Sequence, residues 1–185
     1  MSAKTLKFTI FVLTAFFCVS LFAPFAAQAQ RRDFLTEQEA DLIREAQAID
    51  QRTEVFVKAI DRRFLVLNNQ AQPDDKKLKK DSEKWGELPA GTRLELLTDI
   101  RKILDEAISN IDDVAAHNKM DEKLFPKAVR KLAEASNRYL SELKSDLTKT
   151  ADEKEKGAIL ASIEYCEQVI EASAKVPKEE TKKKN

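Results

Sequence analysis

From Thr36 to the end of the last helical stretch before Pro177, apolar side chains return every three or four residues with few breaks, and the whole chain contains only three glycines, at 86, 91 and 157. No stretch alternates apolar with polar residues long enough to make a strand. Helices must therefore account for nearly all of the ordered chain, and the expected fold class is all-α.

The first helix is set by Thr36, whose hydroxyl can cap it while Glu39, three residues on, reaches back to the cap amide. An apolar stripe runs through Leu42, Ala46, Ile49, Phe56, Ile60 and Leu67, apart from Thr53 and a shift near Phe64, and predicts one long amphipathic helix over 37–67. Asn68-Asn69-Gln70 and Pro73-Asp74-Asp75 end it. A lysine-rich stretch then reads as a short extra helix reaching Trp85, with Gly86 as its stop.

A second capping box, Thr92 to Glu95, opens a helix carrying Leu97, Ile100, Leu104, Ala107, Ile111 and Val114, which should end near His117 or Asn118. Pro126, at an early position, opens the next, with Val129, Leu132, Ser136, Tyr139, Leu143 and Leu147 on one face. Thr150 and Glu153 read as a third capping box. The last helix is expected to place Leu160, Ile163, Val169 and Ile170 inward and to stop before Pro177. Four helices of roughly 22 to 31 residues would measure about 33 to 46 Å, long and similar enough to lie side by side. The expected architecture is a four-helix bundle whose short connections, at 118–124 and 148–150, make its last three helices antiparallel neighbours.

The N-terminus has a different character. Lys4 and Lys7 precede an apolar run from Phe8 to Ala27, and Ala27-Gln28-Ala29 supplies the small residues that signal peptidase requires, so residues 1–29 read as a cleaved signal peptide. An uncleaved anchor is the rival, disfavoured by Pro24 near the end of the run. Cys18 follows Phe16-Phe17 inside the run rather than a small residue, which argues against lipid attachment. The expected location is the periplasm or the extracellular space.

Of the chain's 185 residues, removal of 29 leaves 156, enough for one domain over 30–176 that needs neither metal nor disulfide, with a charged, disordered tail at 177–185. Two of the 32 basic side chains leave with the leader and none of the 32 acidic ones, a mature charge of −2 that offers no footprint for nucleic acid. Only Cys166 survives processing, so no intrachain disulfide can form. It reads as a small apolar helix residue, with an intermolecular disulfide or a reactive thiol as the sharper alternative.

No motif carries a specific chemistry. Gly86 to Thr92 has the glycine spacing of a phosphate-binding loop but lacks the lysine and a preceding strand, and Pro89 removes an amide donor. A helix stop and cap, with Trp85 and Leu88 covering one end of the bundle, uses every residue of the segment. His117 is the single histidine, which excludes two-histidine metal sites, and it suits a helix C-terminus with Asp113 one turn back. Met120 lies too near it to oppose it across a haem. Glu37, Asp41 and Glu45 could face a metal or a basic partner, yet read first as solvated surface. Cys166 with His117 lacks the surroundings of a nucleophile.

Leu35-Thr36-Glu37-Gln38 resembles the Leu-Thr-x-x-Gln motif of small periplasmic helical chaperones of the Spy and CpxP type. Glu39 stands where the motif has glutamine, and no second copy follows, so neither the chaperone activity nor the cradle-shaped dimer is carried over. The expectation is a non-enzymatic envelope protein, without catalytic, cofactor or metal residues, that binds a protein partner or itself. The alternative is a bundle holding a metal or small apolar ligand, with carboxylates or His117 as ligands.

Overall fold

The computed structural model describes residues 32–69, 76–117 and 123–176. The signal peptide expected over 1–29, Met120 and the charged tail expected over 177–185 lie outside these residues. Every regular element among the described residues is a helix: α1 (Glu37–Glu45), α2 (Ile49–Leu67), α3 (Lys76–Trp85), α4 (Arg93–Ala116), α5 (Leu124–Lys149) and α6 (Glu153–Ala174).

The expected 37–67 helix is two helices. The chain leaves the helix at Ala46 (φ −71°, ψ 98°) and re-enters after Ala48 (φ −85°, ψ 142°). No glycine or proline lies at this break. Its backbone is held locally, because Ala46 still donates to the Leu42 carbonyl and Arg52 Nε donates to the Ala46 carbonyl at 3.1 Å. Tertiary contacts of α1 outweigh the helix preference of the alanines.

The first two capping boxes form as read: Thr36 with Glu39, and Thr92 with Glu95, both with reciprocal bonds. The third does not. Asp152 caps α6 by accepting from the Lys154 and Glu155 amides at 2.8 and 3.0 Å, and Thr150 instead donates to Glu155. Both amides share Asp152 Oδ1, and a negative charge at the positive end of the helix dipole favours Asp152 as the cap two residues later. Gly86 ends α3 with φ 65°, a left-handed conformation that glycine adopts freely, and a Cβ there would come within 2.8 Å of the Gln38 side chain.

The long helices α2, α4, α5 and α6 pack so that α2 lies against α4 and α5, and α6 likewise against α4 and α5. Of the antiparallel neighbours expected among the last three helices, α5 packs along α6, but α4 and α5 meet over only a few residues. A ladder of ion pairs along the rim marks the register of α5 on α2: Asp50–Lys127 (2.6 Å), Glu54–Lys131 (2.7 Å) and Asp61–Arg138 (3.6 Å). Each pair is separated by the same sequence interval, so α5 runs parallel to α2 and in register with it. In contrast, Arg52–Asn110 and Arg63–Asp99 run in opposite order, which makes α4 antiparallel to α2.

The core is built from Phe56, Ile60, Leu97, Ile100, Leu104, Leu132, Tyr139, Leu143 and Ile159, all nearly without solvent exposure. Tyr139 stacks on Phe64 with centroids 5.2 Å apart, and its hydroxyl donates to the Val57 carbonyl and to Asp61. Burial, then the Asp61 charge, pushes the Tyr139 phenol far above its ordinary value. One expected core residue is wrong: Leu160 is 52% exposed, and its neighbour Ile159 is the buried one. The inward face of α6 follows Ile159, Ser162, Ile163, Cys166 and Val169, a stripe with two small polar or polarisable members that hydrophobicity alone does not trace.

Candidate functional site

The densest polar chemistry lies inside the protein, where the end of α2 meets α1. Arg62 and Arg63 sit on the buried side of α2, Glu39 on the inner face of α1 and Asp99 on α4, with exposures of 4%, 1%, 0% and 3%. Glu39 is fully committed. Its Oε1 accepts from Arg63 Nη1 at 2.6 Å and pairs with Arg62 Nε at 3.1 Å, while Oε2 accepts from the Thr36 amide at 3.0 Å.

The guanidiniums bind backbone as well. Arg63 donates to the Ala59 carbonyl at 2.8 Å and to the Phe34 carbonyl at 2.7 Å, and its Nε lies 3.9 Å from Asp99 Oδ2. Arg62 donates to the carbonyls of Gly86 and Glu87 and sits 5.8 Å from the Trp85 ring centre. Burial pulls Arg62 below the usual guanidinium range while Glu39 pushes it back, and it remains a cation. Two positive and two negative groups balance, and together they fasten the segment before α1, the end of α2, the 86–87 turn and α4.

Sequence reasoning assigned Glu39 only to the cap. Two signals could have exposed its second role: the dipeptide Arg62-Arg63 falls between the apolar positions Ile60 and Phe64, and Arg63 is one turn from Ile60 on the same stripe. A charged residue on a buried stripe requires a partner.

The residues singled out in the sequence do not converge. Glu37, Asp41 and Glu45 are all exposed, and Asp41 pairs with Arg44 at 2.7 Å. His117 caps the end of α4, with Nδ1 2.8 Å from the Asp113 carbonyl and 3.1 Å from its carboxylate, and its side chain is exposed. Cys166 is wholly buried on α6, where burial pushes its thiol up to about 11, against a smaller opposing pull from Ser136. His117 at a solvated helix end and Cys166 in the core form no nucleophile and base pair. The Gly86–Thr92 segment turns its first carbonyls toward Arg62, so it presents acceptors where a phosphate cradle needs donors.

Concavities also occur among the described residues. A cleft of about 170 Å³ lies between the end of α4, the start of α5 and the end of α6, lined by Ile111, Phe125, Val129, Leu132 and Val169 with Asp112 at its rim. A wider groove of about 540 Å³ runs between α1, α2 and α3 over Leu42, Ala46, Val55 and Trp85, flanked by Glu45 and Lys58. Among the described residues no group of three His, Cys, Asp or Glu side chains is placed to hold a metal ion, and no helix is long and apolar enough to cross a membrane. No family model, curated protein or solved structure matches the chain.

Proposed function

We propose that the mature chain is an exported, non-enzymatic helical protein that acts by binding a protein partner or a second copy of itself, with its four long helices forming a four-helix bundle. The observation that carries this reading is the pairing of the buried charges Glu39, Arg62 and Arg63 with one another, even though Arg62 Nε and Arg63 Nε make no aligned hydrogen bond. Glu39, Arg62 and Arg63 direct their donors and acceptors at one another and at backbone carbonyls, where neither solvent nor a substrate reaches them. What remains for other molecules is a long, densely charged helical surface, suited to contacts along its length. The order of basic, apolar and small residues over 1–29 supports export to the periplasm or beyond.

Crosslinking of the exported chain in cells, followed by isolation from envelope extract, tests this. Conjugates with a partner or with itself are expected. Recovery of the chain only as an uncrosslinked monomer with a stoichiometric small ligand or metal would overturn it.

The apolar cleft supports a second reading, a bundle that holds a small apolar molecule. Its volume suits a single aromatic ring, by comparison with cavities of about 150 Å³ that bind benzene. On this reading a benzene-sized hydrocarbon raises the melting midpoint of the wild-type protein and not of Ala172→Trp, which blocks the cleft.

A further inference from the structure

The break between α1 and α2 falls at Ala46-Gln47-Ala48, among the strongest helix formers. Ala48, the N-cap of α2, makes no side-chain cap bond, and alanine is among the poorest residues for that position. The apolar stripe Leu42, Ala46 and Ile49 also keeps helical spacing across the break. Local preference therefore favours one continuous helix, and tertiary contacts hold the bend.

Those contacts are few and specific. Among the described helices α1 packs against α2 and α3, its single fully buried side chain is Glu39, held by Arg62 and Arg63, and the segment before it reaches α4 where Lys102 lies over the Phe34 ring. Phe34, Leu35 and Ile43 are only partly buried against the core. A buried ion pair demands one geometry while adding little net stability. An identical α1 from a second copy would supply that geometry atom for atom.

We propose that residues 33–45 form an exchangeable arm: α1 and α2 straighten into one helix over 37–67, and the freed Glu39 closes on Arg62 and Arg63 of a second copy of this chain. This gives one form to the self-association named above. Its test reads the arm itself, so its failure leaves binding to other partners standing.

Spin labels on Asp41→Cys and Glu83→Cys, both exposed positions on α1 and α3, report the arm in the mature protein. Buried Cys166 stays unlabelled. One short intrachain distance is expected in dilute protein. As concentration rises, a second distance should appear, longer by about 13 Å or more, the length of α1 at its standard rise, together with dimer mass in sedimentation. Ala48→Pro fits the observed φ of −85° but clashes within a continuous helix, and should lower the dimer fraction at least about tenfold without lowering the melting midpoint. Should that variant fail to fold, Gln47→Gly with Ala48→Gly, which penalises the continuous helix without fixing φ, must lower the dimer fraction likewise. A single short distance at every concentration, or dimers undiminished in the hinge variants, overturns the proposal.

Discussion

Glu39 is the residue on which the N-terminal third of the fold turns. Glu39→Ala leaves two guanidiniums buried without their carboxylate and should cost about 3 to 5 kcal/mol, whereas Glu37→Ala, two residues away on the solvated face, should stay within about 0.5 kcal/mol. Urea unfolding of both variants measures the contrast, and equal costs would contradict the clamp. Asp50 shows how pH enters. The hydrogen bond from Lys127 holds its carboxyl below the usual carboxylate range, so the stability it lends is present above an unfolded pKa of about 4 and is lost as pH falls through its lower folded value. Asp50→Asn should therefore flatten the acid limb of stability against pH. Cys166 works in the opposite sense, because its neutral thiol is favoured by burial. That contribution is complete below about 8.5 and is lost as pH climbs through about 11, so alkylation of the native protein at neutral pH should wait on unfolding.

At the scale of the elements, two capping boxes, the Gly86 stop and the end of α4 at His117 were legible because each depends on residues three or four apart. The break at Ala46–Ala48 was not, since its cause lies far away in sequence at Arg62 and Arg63. The same distinction explains α6. Its apolar content is spread around the helix, and only contacts with α4 and α5 select Ile159 over Leu160. Ile159→Asp and Leu104→Asp, both fully buried, should abolish cooperative unfolding, while Leu160→Asp should leave the melt within a few degrees of wild type. Circular dichroism melts of the three variants measure this directly. The buried charge cluster was half legible, with Glu39 read as a cap, while the shift of the stripe near Phe64 did not point to Arg62 and Arg63.

Over the whole molecule, the parallel pairing of α2 with α5 rests on core contacts such as Phe64 on Tyr139 and is lined by acidic residues on one helix and basic residues on the other, information that periodicity within either helix does not hold. The proposed export and interaction reading belongs to this scale too, because it joins the basic and apolar pattern of residues 1–29 to the charged surface of the helices. Native mass spectrometry of the protein recovered from separated cytoplasmic, membrane and exported fractions tests both halves at once. The account predicts a mature chain beginning at Gln30, carried in assemblies with a protein partner or a second copy, with no stoichiometric small molecule or metal. A monomer that begins at Met1, or one that carries a ligand in one-to-one ratio, would contradict it.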